Sequence, residues 1–324
     1  MEIKQISFSE WEKLWPLSKN DNLLQSWFYG TAKKNSEKLE VLYFSISKED
    51  NDIALVQLLV KKLPILGKLA RLNRGPIFLI DQNQKESIKD LENILKLIIL
   101  ECKKRKVRMI KAAPEIISNK NSHLPLLKNG FRKISSAPWS SGLINLKEQE
   151  EILLKNLNGK WRNCYRKSIK LGVTISKVEN NFENLSKLIN SYKNFQLKRE
   201  FNGLSDSFIK ELSKFNHADW KFNIFHANIN SSEEPIGKLV TIHHGKTAIY
   251  LIGATNLIGR KNQANYSLLW DALIHAKKSG CEMFDIGGLG EETPKGIAHF
   301  KKGLNAKNYQ LIGEWRKFIL PSFF

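Results

Sequence analysis

Phe284-Asp285-Ile286-Gly287-Gly288, followed twelve residues on by Phe300-Lys301-Lys302-Gly303-Leu304, decides how this chain is read, because the stretch around it occurs twice. The strand-like run Cys281-Glu282-Met283-Phe284-Asp285-Ile286 has a counterpart in Val107-Arg108-Met109-Ile110-Lys111-Ala112, the two methionines lying 174 positions apart. Leu127-Lys128-Asn129-Gly130-Phe131 answers the second element at an offset of 173, so one loop has lost a residue. Before each strand comes an apolar stripe of helical spacing. Ile88, Leu91, Ile94, Leu95, Ile98, Ile99 and Cys102 end in Lys103-Lys104, and Tyr266, Leu269, Trp270, Leu273 and Ala276 end in Lys277-Lys278. Strand-like runs precede these helices, at 41–46, 53–60 and 71–80 in one half and 222–227, 236–242 and 247–254 in the other.

The repeated unit is therefore two or three antiparallel strands, a crossover helix, a further strand and a short helical turn ending in K-x-G-F/L. A strand that returns through a helix pairs in parallel, which predicts a mixed α/β sheet with helices packed on it. Each half is similar to the GNAT acyltransferase fold, and the expected class is α/β with two tandem GNAT-like domains. Small and turn-forming residues in Ser135-Ser136-Ala137-Pro138-Trp139-Ser140-Ser141-Gly142 suggest the linker. The expected domains are 1–145 and 146–314, with 315–324 able to return to the first. A long basic helix opens the second: Glu148, Glu150 and Glu151 complement its N-terminus, Arg166, Lys167 and Lys170 its C-terminus, and Gly172 ends it.

The chain has 324 residues, a length that favours two cores over one. Its apolar runs are too short to span a bilayer, and Met1-Glu2-Ile3-Lys4-Gln5 has no secretory n-region, so the expected location is cytoplasmic. Cys102, Cys164 and Cys281 are too scattered for a disulfide framework or a zinc knuckle. His243-His244 send one imidazole to each face of a strand and have no ligand partner at motif spacing, so both read as structural and no metal is expected. The net charge of +20 exceeds what solubility needs and favours polyanions such as RNA, nucleotide phosphates or an anionic membrane surface. Arg162, Arg166 and Lys170 fall at i, i+4 and i+8, a stripe of like charge that either faces solvent or meets phosphate.

Leu24-Gln25-Ser26-Trp27-Phe28-Tyr29-Gly30 then Lys33, the run from Lys160-Trp161-Arg162-Asn163 to Leu171-Gly172-Val173-Thr174-Ile175, Phe284-Asp285-Ile286-Gly287-Gly288, and Gly296-Ile297-Ala298-His299-Phe300-Lys301 together resemble, in order and spacing, the FemABX aminoacyltransferases. That resemblance covers most of the chain and implies transfer of an amino acid from aminoacyl-tRNA to an amine of a peptidoglycan precursor. The acceptor would be a UDP-linked or lipid-linked muropeptide, the enzyme could sit at the inner membrane face, and tRNA would be a co-substrate with no further cofactor. On matched positions Lys33 and Arg199 would hold the acceptor's phosphates, and Phe300 is a further candidate for substrate contact. Tyr250, facing the cleft in an expected central strand, could hydrogen-bond substrate or simply pack.

Lys301 is the candidate for the chemistry, since a positioned ammonium stabilises the oxyanion formed when an amine attacks an ester. Its repeat-mate Lys128 leaves open a merely structural K-x-G turn. Asp285 could take a proton or orient the amine, or it could cap the Gly287-Gly288 turn. The alternative donor is acyl-CoA, whose pyrophosphate needs glycines before the crossover helix; Gln263 and Asn265 stand there instead. A third reading is an RNA-binding or membrane-peripheral protein that kept the fold and lost the reaction.

Overall fold

A computed structural model describes residues 1–81, 84–119, 121–134, 137–230 and 232–320, with the side chains of Gln84, Lys85 and Arg199 also outside the description. The chain forms two compact units, Met1–Trp139 with Gln310–Phe324 and Ser140–Tyr309. Ser135 and Ser136 of the expected linker lie outside the described residues.

In the first unit, strands Glu40–Lys48, Asn51–Leu63 and Gly67–Arg74 form an antiparallel meander. Helix Gln84–Lys104 crosses over, and strand Val107–Pro114 then pairs in parallel with Gly67–Arg74. The helix buries the expected stripe, Leu91, Ile94, Leu95, Ile98 and Cys102, against Phe44, Leu58, Leu72 and Ile110. The run expected as one strand at 71–80 is interrupted: it ends at Arg74, and Ile77–Phe78 pairs elsewhere, with Ala54 and Leu55. Pro76 has no N–H to give a continuing ladder. Strand Trp315–Phe318 inserts between Val107–Pro114 and Arg132–Lys133, so the sheet is completed by chain that follows the second unit.

The second unit repeats the plan. Trp220–Asn228, Gly237–His244 and Thr247–Thr255 are antiparallel neighbours, helix Ala264–Lys278 crosses over, and Met283–Asp285 pairs in parallel with Thr247–Thr255. Its core is built on Trp161, Phe225, Leu268, Leu269, Trp270 and Phe284. Strand Ser140–Asn145 pairs antiparallel with Met283–Asp285. This ladder draws the unit's start back to Ser140, ahead of the position 146 that composition suggested.

The long basic helix is in fact two, Glu150–Asn156 and Gly159–Lys170. Leu157 takes an extended conformation (φ −61°, ψ 150°) and is buried, and the Asn158 side chain accepts from the Lys160 N–H as a new N-cap. Such a cap satisfies one of the amide donors that a new helix start leaves without an intrahelical partner. Gly172, at φ +80°, closes the second helix in the left-handed region where glycine is favoured.

The element around Gln25 is explained by the fold. Buried Gln25 donates to the carbonyls of Gln57 and Asn73 and accepts from the Gln57 N–H, tying two strands together. Ser26 caps helix Trp27–Glu37. A Cβ at Gly30 would lie 1.7 Å from Gln57 Oε1 and 2.4 Å from the Tyr43 hydroxyl. Neither atom can retreat cheaply, because Gln57 Nε2 donates to the Leu24 carbonyl and Tyr43 to that of Trp27. Gly30→Ala is expected to cost about 1–3 kcal/mol through overpacking, read as a lower urea midpoint at unchanged slope.

Candidate functional site

The second unit contains a wedge between two strands. The parallel ladder runs Thr247↔Met283, Ala248↔Phe284 and Ile249↔Asp285 and goes no further, because the second strand turns at Gly287. On the other edge, Val240 and Thr241 face Ile252 and Tyr250, so Leu251 is bulged, a device that re-aims neighbouring side chains. Beyond the ladder a cavity of about 220 Å³ opens, lined by Tyr250, Gly253, Leu239 and Leu268, by Ile297 and Phe300 of helix Lys295–Lys302, and by Lys238, Arg260 and Asn265.

Lys301, in the last turn of that helix, is only 6% exposed. Its Nζ donates to the Gly288 carbonyl at 3.3 Å and lies 4.8 Å from the Tyr250 ring centre, in cation–π range. Gly287, at φ +73°, makes room: a Cβ there would sit 3.0 Å from Nζ and 2.9 Å from the Tyr250 carbonyl oxygen. Burial lowers the Lys301 pKa to about 8, against a smaller opposing pull from Asp285. The repeat-mate Lys128 has 61% of its side-chain surface open and pairs with Glu92 at 2.9 Å. The shared K-x-G pattern therefore holds one lysine at the surface and buries the other.

Asp285 is buried and accepts three hydrogen bonds. Gly287 N–H and Ser141 Oγ reach Oδ1 at 2.7 and 2.5 Å, and the Tyr309 hydroxyl reaches Oδ2 at 3.0 Å. Ser141 Oγ also lies 2.8 Å from the Gly287 carbonyl. With these three donors the carboxylate fixes the turn that presents Gly288 to Lys301, and Oδ2 keeps one acceptor site beside the Tyr309 hydroxyl. Ser141 and Tyr309 are partners that sequence reasoning missed, Ser141 because it fell in a stretch read as linker.

Phe300 stacks on Trp161 (6.0 Å) and meets Tyr266 edge-on, while Trp161 Nε1 donates to the Phe300 carbonyl. A Cβ at Gly303 would lie 2.6 Å from the Trp161 ring, so the glycine of K-x-G is where the indole packs. Trp161 thus couples the basic helix to the helix that carries Lys301.

The remaining candidates sit on other elements. Arg162 donates through Nη1 to the carbonyls of Lys155 and Leu157, closing the end of the preceding helix. Arg166 and Lys170 are exposed on the same helix. Lys33 belongs to the first unit, pairs with Glu37 at 2.5 Å and lies 5.8 Å from the Tyr29 ring centre. Arg199 ends helix Phe182–Arg199, and its side chain is outside the described residues. Gln263 takes φ +59° at the start of the crossover helix, and Asn265 lines the cavity. His243 and His244 are both buried in strand Gly237–His244. Burial lowers the His243 pKa to about 3.

Residues 205–324 match the model of the FemAB family. Over the whole chain the fold is similar to that of the crystal structure of FemX, with a TM-score of 0.82 at 18% identity covering 98% of each chain. A conserved protein of unknown function from Bacteroides thetaiotaomicron follows at 0.64 and 9% identity, covering 99% of this chain and 100% of that one. A tandem GNAT protein from the clavulanic acid biosynthesis pathway gives 0.56 at 10% identity over 99% of each chain. At such identities the likeness is one of fold. No curated protein sequence matches the chain.

The geometry makes one prediction about Lys301 that is independent of any reaction. A lysine resonance followed by heteronuclear NMR should titrate near pH 8, well below the ordinary value. It should vanish from the spectrum of Lys301→Met; a lysine titration confined to the usual range above pH 10 would contradict the burial described here.

Proposed function

We propose that this chain, a FemAB-family protein over residues 205–324, is an N-acyltransferase that moves an amino acid from aminoacyl-tRNA to an amine of a peptidoglycan precursor. The observation that carries the reading is Lys301: an ammonium withdrawn from water against the ring of Tyr250, which lines the cavity, with no ion pair among the described residues. Its repeat-mate, in the equivalent turn, stays at the surface.

In this reaction the neutral acceptor nitrogen attacks the carbonyl carbon of the aminoacyl ester. A C–N bond forms, the carbonyl oxygen becomes an oxyanion, and the C–O bond to the ribose then breaks. The amine gives up one proton and the departing ribose oxygen takes one, so no external reductant or phosphate is consumed. Lys301 would donate to the oxyanion, an interaction stronger in the transition state than in the ground state. Asp285 would act as a positioning residue through the Gly287-Gly288 turn. Tyr250 and Phe300 would border the acyl group, the Tyr250 phenol being kept neutral by burial.

The donor assignment is supported by charge and by what stands before the crossover helix. A net charge of +20 suits a polyanionic co-substrate. Gln263 and Asn265 carry side chains where a CoA pyrophosphate would need close backbone approach. Arg166 and Lys170, both exposed, would meet phosphates of the donor.

Purified protein incubated with charged tRNA and a UDP-muropeptide should yield, by mass spectrometry, the acceptor plus one amino-acid increment. Transfer from acyl-CoA but not from tRNA would select the other donor, and no transfer from either would leave a binding protein. Lys301→Met is expected to lower kcat about a hundredfold to a thousandfold, the range for loss of one oxyanion donor. Because the charged form is the active one, kcat should fall as pH rises through about 8, and that fall should be missing in the variant.

A further inference from the structure

One end of the first unit's sheet combines exposed aliphatic side chains with dense positive charge, and acyl transfer makes no use of it. The hairpin joining Asn51–Leu63 to Gly67–Arg74 turns through Pro64-Ile65-Leu66, where Ile65 is fully exposed and Leu66 is 71% exposed. Scattered exposed apolar residues need no explanation, but a pair on a protruding turn with further apolar neighbours does.

Strand register supplies those neighbours. Lys62 pairs with Lys68, Lys68 with Val107, and Met109 with Phe318. The turn, the start of strand Val107–Pro114 and the end of strand Trp315–Phe318 therefore share one edge, across four adjacent strands or roughly 15 Å at the usual spacing. Phe318 and Leu320 are both exposed there.

The charge on this edge is predominantly positive. Lys61, Lys62 and Lys68 bracket the turn, and the run Lys103-Lys104-Arg105-Lys106-Val107-Arg108 lies beside it. Arg108 packs its stem against Gly67, and the Arg316 guanidinium lies 5.7 Å from the Phe318 ring centre. Glu40 pairs with Lys68, and Glu101 with Lys104 and Arg105. Among the described residues no ion pair engages Lys61, Lys62, Lys106 or Arg108, so most of the positive charge is uncompensated.

RNA would account for the cations but gains nothing from aliphatic side chains at the tip. A bilayer uses both: the acyl region accepts the apolar tip while lysines on long stems stay among anionic headgroups. We propose that this edge docks the protein on an anionic membrane surface, with Ile65 and Leu66 entering the acyl layer and the flanking lysines and arginines meeting the headgroups. The proposal rests on the first unit alone and stands apart from the acyl-transfer reading.

Sedimentation of the full chain with phosphatidylcholine vesicles, with and without phosphatidylglycerol, tests it. Binding is expected only to the anionic vesicles and should weaken as salt is raised. Ile65→Ser/Leu66→Ser and Lys61→Glu/Lys62→Glu should each reduce it by about tenfold or more. Melting temperature should not change, because the four side chains are at the surface. Equal binding to neutral and anionic vesicles would overturn the proposal, as would full binding by Ile65→Ser/Leu66→Ser. Absence of vesicle binding, with a single-stranded RNA oligomer bound by the wild type and released by Lys61→Glu/Lys62→Glu, would reassign the edge to nucleic acid.

Discussion

A ladder of three residue pairs, Thr247–Ile249 against Met283–Asp285, underlies everything in the candidate site. Tyr250 is the next residue past it, paired with Thr241 on its other side only, and it lines the cavity. What stops the ladder is the turn at Gly287, whose left-handed backbone is pinned by the carboxylate of Asp285 and the hydroxyls of Ser141 and Tyr309. The same turn directs the Gly288 carbonyl at Lys301, so the end of a strand, the opening of a cavity and the placement of a buried ammonium follow from one local event.

The two halves show how a duplicated plan acquires a site on one side only. Both have the antiparallel strands, the crossover helix and the parallel return. In one, the lysine of K-x-G reaches a surface glutamate, and the position matching Asp285 is Lys111. In the other, Trp161, clustered with Tyr266 and Phe300, packs on Gly303, and the equivalent lysine is buried. The difference lies less in the lysine than in what covers the helix carrying it.

Much of this was legible from residue order. Apolar spacing located the helices Gln84–Lys104 and Ala264–Lys278, and the paired methionines and K-x-G turns revealed the repeat. The break between Glu150–Asn156 and Gly159–Lys170 was hidden, because the acidic start and basic finish of two short helices imitate those of one long helix, and only Asn158 hinted at a restart. Ser141 was hidden for a different reason. Small residues beside a proline suggest a linker by composition, whereas its role comes from a strand pairing some 140 positions away, which no local pattern encodes. The Q-S-x-x-x-G element was visible as a motif, but its glutamine, serine and glycine serve strand tethering, helix capping and close packing in the first unit.

The insertion of Trp315–Phe318 between Val107–Pro114 and Arg132–Lys133 bears on how the protein is made. A ribosome delivers the whole of 140–309 as one uninterrupted stretch, able to close its sheet as soon as it emerges. The N-terminal half, though synthesised earlier, must wait with an open gap beside Trp315's future place until residues 315–318 have been made. Biosynthetic order and order of completion are thus reversed, and in the interval the unfilled sheet edge exposes backbone donors and acceptors to any passing strand.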